Sequence, residues 1–570
     1  MLNRTSFSAE NAKNTLGTQP IGTVNIGEIF EIDCLNGFGK SFSTADDFSA
    51  FMNSSEKNEK NHPCTGPIEI CGLDNSDSLA VKILKIEPQN TYSCLSKSTG
   101  LFKDHYQGRS VTLYSQENNN LKINDNLFLS PAPSLGFAAT ICSTPLKGGR
   151  ACPNGGNLDM PYLKAGATLY LPVNYSKALL ALGDVHFVQG CGEVSGMALE
   201  CDAKVTLQVF KAKKFDFPII ETPDEFIIIG TADNENEARK IALTNCLTFL
   251  TIQECLAAMP EDKIYQLLGG IGNIVCGNMC GKTPTVGILI NKNALLDNYG
   301  LEALKSPLIP LYYEKSLLTK ILKQNLPLYD SLPLIHNGDS RQIRLIPKTN
   351  YGIMRFNPVI YSFSAHGPID APETEFYRAK INQFIAEHLT LQGISSSTLV
   401  TEGKYALISL EDATTHIEVV VKEAFSGSPK HIYKNLSNVE TRFGTKISLN
   451  SLHKPYVRFD WRLPHPDDDI LLPEGLADYF INTKTAKKTA LKTFLLVKKL
   501  LNHHDLDITD MCLFLNKNGD KVLTEISPDN MGSLSYIGSI PEYIQIFQNK
   551  DKSNTLNKWK LASCLLGLEE

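Results

Sequence analysis

The chain has 570 residues, several times the usual length of one domain, so two large domains or three smaller ones are expected. Apolar residues make up 42% of it and charged residues 20%, as in ordinary globular proteins, and the net charge of -6 argues against nucleic acid or an anionic membrane as the main partner. Because no apolar run approaches 18 residues and the N-terminus lacks an apolar signal segment, we expect a cytoplasmic protein.

The first half of the chain is predicted to be rich in β-structure. Residues 1–18 are polar and are predicted to form a tail, and 19–297 form the first domain. Alternating polar and apolar residues predict strands over 78–86 and 204–210, with another strand over 168–173. Clusters of Gly, Pro and Asn separate these runs, which favours a sandwich or barrel-like domain.

After Asp233, apolar residues recur at the spacing of a helix. The acidic stretch there offers an N-cap and a favourable first turn, so we predict one helix at this point and another over 254–268. Residues 286–290 predict a last strand of the first domain. The four prolines spread over 298–334 indicate a helical or extended connector.

The C-terminal part, 335–570, is predicted to be a separate α+β domain. Helical patterns occupy 373–391 and 486–501, and strand patterns lie between and after them. Asn516-Lys-Asn-Gly519 between two apolar runs predicts a hairpin turn. The whole chain is therefore expected to be a multidomain protein, with a β-rich domain followed by an α+β domain.

The densest group of polar side chains lies between Gly183 and Glu193. The preceding Leu179–Leu182 run predicts a buried strand, at whose end these groups would be presented. Asp184 and His186 are two apart on an extended segment and so point to one face, where they could share a metal or a proton. Glu193 could serve as a general acid or base, and Gln189 could orient a ligand through its amide.

A second polar turn, Gly155-Gly-Asn-Leu-Asp159, precedes this group. Asn157 and Asp159 could contribute to the same site. The alternative is that Asx residues beside glycine simply form a turn.

These motifs resemble the acetamidase/formamidase family, whose members cleave small carboxamides to the acid and ammonia. The resemblance covers about residues 20–297 and implies a divalent metal, either zinc or calcium/magnesium. It rests on the following motifs: His62-Pro-Cys-Thr-Gly-Pro-Ile68, Gly155-Gly-Asn-Leu-Asp159, Leu169-Tyr-Leu-Pro-Val173, Gly183-Asp-Val-His186, Gln189-Gly190, Gly192-Glu193 and Phe217-Pro-Ile-Ile-Glu221. The implied roles are catalysis by Asp184, His186, Glu193 and Gln189, metal binding by Asp159, Asp184 and His186, and substrate binding by Asn157, His62 and Cys191.

Cys191 departs from this family, which usually carries an acidic residue at the same place. A thiol in place of a carboxylate removes a hard ligand or a base, so a changed metal or substrate is expected. A nucleophilic role for Cys191 is the alternative.

The remaining cysteines mostly stand singly in apolar or alternating surroundings. This pattern is typical of reduced thiols packed in a cytosolic protein. Cys276 and Cys280 have a spacing that could bind zinc, although no second pair accompanies them. Packing thiols are the favoured interpretation, and metal binding by this pair is the alternative.

The C-terminal domain contains a second group of chemically suggestive residues. Two carboxylates, Glu525 and Asp529, stand four apart after a strand. A loop of small residues, Phe425–Ser428, follows the strand predicted over 414–424 and is itself followed by lysines, which suits an anion such as phosphate. A solvated basic surface is the alternative interpretation of those lysines.

This domain resembles the SAICAR synthetase family of purine biosynthesis, which has an ATP-grasp-related fold. Members join a carboxylate to the amine of aspartate using ATP and magnesium, and the resemblance spans about residues 335–545. The positions implied to lie near substrate and nucleotide are Lys380, Lys422, Ser428, Glu525, Ser527 and Asp529. Thr524 replaces an acidic residue of the family, and no arginine follows the motif, which removes a magnesium ligand and an anion clamp.

Two hypotheses follow for the whole chain. One is a bifunctional enzyme, an amidohydrolase joined to an ATP-dependent carboxylate–amine ligase, that acts on small molecules and forms a homo-oligomer. The other is an amidohydrolase whose C-terminal domain is a catalytically inactive module that binds a nucleotide or metabolite.

Overall fold

The computed structural model describes most of the chain. The residues outside the description are 1–4, 58–61, 97–99, 101–104, 107, 142–145, 175–176, 297–301, 310–314, 348, 363–366, 411–414, 425–439, 441, 443, 445, 447–451, 464–468, 532, 549–553 and 569–570. The chain divides into two compact units, with the boundary between residues 311 and 312. Among the described helices, none has the length and apolarity needed to cross a membrane.

The first unit is built on one large sheet, as its alternating sequence pattern predicts. Within the described residues, seventeen strands belong to this sheet, and smaller two- and three-stranded sheets flank it. The strands that matter for the site, or that test the predictions above, are Thr5–Phe7, Ala12–Lys13, Ile29–Cys34, Cys64–Cys71, Ser78–Ser96, Ser134–Thr140, Gly155–Asn157, Thr168–Pro172, Ala178–Val188, Leu199–Ala212, Glu225–Thr231, Gly272–Cys276 and Thr285–Asn291. The β-rich class of this unit is confirmed, and most predicted strands extend beyond their predicted ends.

The strand Ala178–Val188, which we call the central strand, runs through the middle of this sheet. Its residues are buried from Ala178 to Phe187, so the apolar run predicted over 179–182 continues as a strand into the polar motif. Burying leucines on both faces stabilises it by about 1.5–3 kcal/mol per side chain. It pairs antiparallel with Ser134–Thr140 and with Leu199–Ala212.

Two helices cover part of this sheet. The predicted helix after Asp233 is Glu235–Thr251, and the Asn234 side chain accepts from the backbone N–H of Glu237 to cap it. The helix predicted over 254–268 instead consists of a short 3-10 turn, Glu254–Leu256, and a helix, Glu261–Ile271, because Pro260 lacks an N–H and starts a new helix.

Two segments that were predicted to lie outside the domains contain secondary structure. The predicted tail, 1–18, contains the strand Thr5–Phe7, which pairs in parallel with Ile29–Cys34, and Ala12–Lys13, which pairs with Cys64–Cys71. Phe7 packs edge-on against Phe30 and anchors this segment. Likewise the predicted connector, 298–334, contains the helix Lys315–Asn325 in the second unit. Buried Leu318 and Leu322 of this helix join an apolar cluster there, which local sequence pattern does not reveal.

The second unit combines a five-stranded and a four-stranded antiparallel sheet with helices, so its α+β class is confirmed. The predicted helices are Thr374–Leu391 and Thr483–Asn502, and Asn516–Gly519 turns with Gly519 in the left-handed region at φ 74°. The strands are Leu334–Asn337, Arg341–Leu345, Tyr351–Phe356, Thr398–Glu402 and Tyr405–Ser409 in one sheet, and Ile417–Ala424, Leu452–Trp461, Ile470–Leu472 and Asp510–Leu513 in the other. The C-terminal helices are Pro541–Gln548 and Thr555–Leu565.

Candidate metal and active site

Four of the polar residues predicted for the site adopt left-handed backbone conformations. The φ angles are 51° at His62, 49° at Asp159, 54° at Asp184 and 43° at Glu193. Non-glycine residues seldom adopt this region, where each costs of order 1–3 kcal/mol, and such strain is concentrated at functional sites. The acidic residues converge around a fifth side chain, His186, and His62 binds one of them.

His186 lies at the centre of a buried cluster of carboxylates. Its Nε2 is 3.6 Å from Oε1 of Glu200, 3.9 Å from Oδ1 of Asp159 and 3.9 Å from Oδ1 of Asp184. Sheet pairing produces this arrangement, because His186 stands opposite Glu200 on the neighbouring strand. Metal–ligand bonds of about 2.0–2.2 Å place ligand atoms roughly 3–4 Å apart, which these separations match.

The two aspartates each leave one oxygen free toward His186. Oδ2 of Asp159 accepts from the side-chain amides of Asn157 at 2.6 Å and Asn278 at 2.7 Å, and Oδ2 of Asp184 lies 3.3 Å from Nδ1 of His62. The Oδ1 atoms of both aspartates are buried and have no hydrogen-bond partner. Buried unpaired carboxylate oxygens are costly unless a cation satisfies them, so this donor set fits a divalent metal ion.

Glu193 and Glu200 extend the donor set. Two groupings bring their ligand atoms within 4.8 Å of one another, Asp159–His186–Glu193 and Asp184–His186–Glu200. One imidazole together with carboxylates is a set of ligands typical of zinc, whereas calcium and magnesium prefer oxygen alone.

The electrostatics also favour a bound cation. Burial and the neighbouring carboxylates raise the pKa of Asp159 and of Glu200 well above the ordinary range. Burial alone would raise the pKa of Asp184, but the charge and hydrogen bond of His62 hold it at about 2. A divalent cation would offset the mutual repulsion of these carboxylates.

Glu193 lies beside the cluster on the loop that follows the central strand. Its Oε1 accepts from Nε2 of Gln189 at 3.0 Å, and Oε1 of Gln189 is buried without a hydrogen-bond partner. Burial is the main cause that raises the pKa of Glu193. A carboxylate with a raised pKa is a stronger proton acceptor than an ordinary one.

The predicted residues occupy different places in the site. The structure brings Asp159, Asp184, His186 and Glu193 together around one point. Asn157, His62 and Gln189 contact the carboxylates of this group from outside it. Cys191 is exposed, and it is absent from the groups that surround His186 among the described residues.

Sequence reasoning missed Glu200 and Asn278. Glu200 precedes the predicted strand at 204–210, and only the strand's true start at Leu199 places this carboxylate opposite His186. Asn278 lies between Cys276 and Cys280, a segment interpreted only by its thiol spacing. A signal for Glu200 was present, because Glu200 and Asp202 alternate with apolar residues as in a strand.

Gly136 provides a test of how tightly the site is packed. A Cβ there would lie 2.6 Å from the Asp184 carbonyl oxygen, 2.6 Å from Cε1 of His186 and 2.7 Å from Oδ1 of Asp159. We expect Gly136→Ala to destabilise the first unit by about 1–3 kcal/mol, because overpacking displaces these groups, and to lower its metal affinity. Thermal unfolding and calorimetric metal titration would measure both effects.

Gly190→Ala is the matched control, since its Cβ meets nothing within 4 Å. Equal stability and metal affinity in the two variants would contradict the prediction.

In the second unit, the predicted carboxylate motif surrounds a buried arginine. The guanidinium of Arg378 donates to both carboxylate oxygens of Glu525 at 2.9 and 3.0 Å and lies 3.3 Å from Oδ2 of Asp529. Oγ of Ser527 also donates to Glu525, at 2.8 Å. Arg378 is fully buried and further donates to the carbonyl oxygens of Asn357, Val359 and Ser340.

The other predicted residues of this unit lie apart from that cluster. Nζ of Lys422 is buried and pairs with Asp510 at 2.7 Å, and Nζ of Lys380 donates to the carbonyl oxygen of Leu568. Ser428 lies outside the described residues.

The carboxyl group of Asp529 is expected to make the stability of the second unit depend on pH. Burial raises its pKa to about 7, even though Arg378 opposes this shift. The folded unit therefore holds a proton that an unfolded aspartate, with a pKa near 3.9, has released. The free energy of unfolding of the second unit is expected to fall as the pH rises from about 4 to about 7. Asp529→Asn should flatten this profile in chemical denaturation, whereas the exposed control Asp339→Asn should not. An unchanged slope in Asp529→Asn would contradict the assignment.

Comparison with known proteins relates the first unit to one family. Residues 137–225, which include the whole carboxylate–His186 cluster, match the sequence model of the Acetamidase/Formamidase family. A Schizosaccharomyces pombe protein provisionally named a formamidase is 24% identical over an alignment of 247 positions. The match covers 33% of this chain and 60% of that protein. The chain therefore spans less than two thirds of the length of this relative.

Solved structures are similar to each part of the chain. A predicted acetamidase/formamidase from Thermoanaerobacter tengcongensis is 24% identical with a TM-score of 0.48, and the match covers 50% of this chain and 95% of that one. A phosphoribosylaminoimidazole-succinocarboxamide synthase from Ehrlichia chaffeensis is 18% identical with a TM-score of 0.34, and that match covers 42% and 99%.

Proposed function

We propose that the first unit is a metal-assisted hydrolase of small linear amides. The premise is that the residues around His186 match the Acetamidase/Formamidase family. The observation that carries the proposal is the pair of buried, unpartnered Oδ1 atoms of Asp159 and Asp184 beside Nε2 of His186. These three residues would hold a divalent metal, for which we propose zinc, with Glu200 completing the set. The reaction would convert an amide and water into a carboxylic acid and ammonia.

Different residues around the metal would carry out the other steps of the reaction. When bound, the metal would polarise the amide carbonyl and acidify a water molecule. Glu193, whose pKa is raised by burial, would take a proton from the attacking water and return it to the leaving amine. The free Oε1 of Gln189 would accept a hydrogen bond from the N–H₂ group of the substrate.

The proposal is tested by measuring ammonia release from formamide, acetamide and longer amides. We expect turnover that a chelator removes and that one divalent metal restores, together with about one metal ion per chain by elemental analysis. Metal-loaded protein that releases no ammonia from any of these amides would contradict the proposed substrate class. A fully active metal-free protein would contradict the metal.

We infer that the second unit does not act as the ligase that its sequence resemblance implies. Glu525 and Asp529 would have to bind magnesium for that reaction, but both face the guanidinium of Arg378 within the same unit. Lys422 is likewise neutralised by Asp510. These pairs support the alternative, a catalytically inactive module beside an amidohydrolase.

Calorimetry of the full-length protein with ATP and magnesium tests this inference. We expect no magnesium-dependent heat and no release of phosphate from ATP when carboxylates and aspartate are present. Phosphate release that is lost in Glu525→Gln would restore the ligase hypothesis, with the exposed Glu387→Gln as the matched control.

A further inference from the structure

Three cysteine thiols lie around the loop that carries Glu193. The thiol of Cys280 lies 3.2 Å from the carbonyl oxygen of Glu193 and 3.7 Å from that of Gly192, positions from which it can donate a hydrogen bond. Sγ of Cys276 would lie 3.2 Å from a Cβ on Gly192. Cys191, the residue before Gly192, is exposed, whereas the other two cysteines are half-buried. We call Cys191, Cys276 and Cys280 the thiol cluster.

The segment that carries two of these thiols also holds the opposite side of the candidate metal site. Asn278, between Cys276 and Cys280, donates from Nδ2 to Oδ2 of Asp159 at 2.7 Å, and its backbone N–H donates to the carbonyl oxygen of Leu158 at 3.1 Å. A covalent bond within the thiol cluster would therefore connect the Glu193 loop to the segment that positions Asp159.

Cys191 and Cys276 interact electrostatically, and Cys276 Sγ lies beside Gly192, the residue that follows Cys191. Burial is the main cause that raises the pKa of Cys276, and the charge of Cys191 adds to it. Burial raises the pKa of Tyr162 to about 12, and the charge of Cys191 and a hydrogen bond with its thiol contribute. Cys191 and Cys276 therefore both interact with the hydroxyl group of Tyr162.

We propose that Cys191 and Cys276 form an oxidation site at which a peroxide produces a disulfide. The exposed Cys191 sulfur attacks one peroxide oxygen, so that hydrogen peroxide gives a sulfenic acid and one water. The Cys276 sulfur then attacks the sulfenic sulfur, and the S–S bond forms as a second water leaves. The two thiols together lose two electrons and two protons, and the peroxide is reduced to water. Cys280 stays reduced because its thiol faces the carbonyl oxygens of the loop.

The disulfide would alter the proposed active site. A disulfide holds its two Cα atoms about 4.4–6.8 Å apart, so it would tie the Glu193 loop to the segment that carries Cys276. Glu193 shares this loop, and the link would restrict its carboxylate, which accepts from Gln189. We expect oxidation to lower amide turnover at least about tenfold and a dithiol reductant to restore it. This effect on turnover rests on the proposed function, whereas the formation of the disulfide does not.

The test treats the full-length protein with hydrogen peroxide and maps its peptides by mass spectrometry without reduction. We expect a linked pair of peptides that contain Cys191 and Cys276, lighter by two hydrogen atoms than the separate peptides. Cys276→Ser should abolish this link, and Cys255→Ser, which removes an exposed thiol outside the cluster, should not.

The outcomes separate the two proposals. Oxidation of Cys191 to sulfinic acid without a link to Cys276, or a link to Cys280 instead, would overturn the proposed oxidation site. A Cys191–Cys276 link in a protein that cleaves none of the amides would uphold the oxidation site and reject the proposed hydrolase. A link that leaves amide turnover unchanged would overturn the predicted effect on the active site.

Discussion

Replacing His186 by alanine is expected to reduce amide hydrolysis by about three orders of magnitude and to lower metal content in parallel. His186 is the residue shared by both candidate metal groupings, and its Nε2 is within 4 Å of three carboxylates. Removing it deletes the nitrogen ligand and leaves the carboxylates to repel one another, and the metal supplies several kcal/mol of transition-state stabilisation. Steady-state ammonia release and elemental analysis of the same preparation would measure both losses.

The control for this prediction is His105→Ala, which removes an exposed histidine of the same unit. It should keep both metal and turnover. A folded His186→Ala protein with its full metal content would show that the metal lies elsewhere, and one with full turnover would reject the proposed active site.

Replacing Arg378 by methionine is expected to destabilise the second unit by about 3–5 kcal/mol. The substitution leaves the buried carboxylate of Glu525 without its cation and deprives three carbonyl oxygens of their donor. For a unit of this size the loss corresponds to a fall in Tm of roughly 10 °C. Calorimetric unfolding of the full chain would detect it as a shift of one transition.

Two further variants make this prediction specific. Arg355→Met, which removes a partly exposed arginine of the same unit, should shift that transition much less, because its carboxylate partner Asp330 is exposed. Adding Glu525→Leu to Arg378→Met should recover part of the stability, since no unpaired Glu525 charge then remains buried. A single variant as stable as wild type would show that the ion pair contributes little and would remove the main argument against magnesium binding.

Much of the candidate site in the first unit was predictable because its signals are local. Asp184 and His186 share a face because they are two apart on a strand whose apolar residues identify it. Glu193 and Asp159 were found from the density of polar residues beside glycines. The resemblance to a known family named the same positions, and the family match over 137–225 covers all four.

The parts that were missed depend on pairing between distant segments. Glu200 becomes a candidate ligand only because Leu199–Ala212 pairs with the central strand in a register that places it opposite His186. Asn278 reaches Asp159 across 119 positions of sequence. In the second unit the motif Glu525–Asp529 was predicted as a nucleotide site, and its actual partner, Arg378, lies 147 residues away on a helix.

The sequence by itself determined the two-part organisation, the β-rich and α+β classes, and the Asp159, Asp184, His186 and Glu193 side chains as candidates for chemistry. Hydrophobic period and polar density are properties of neighbouring residues, so they can be read without a structure. Only the tertiary structure decided which charges are neutralised. The free Oδ1 atoms of Asp159 and Asp184 favour a bound metal, whereas the arginine that pairs with Glu525 disfavours one. The reason is that charges are compensated through space, between residues that lie far apart in the sequence.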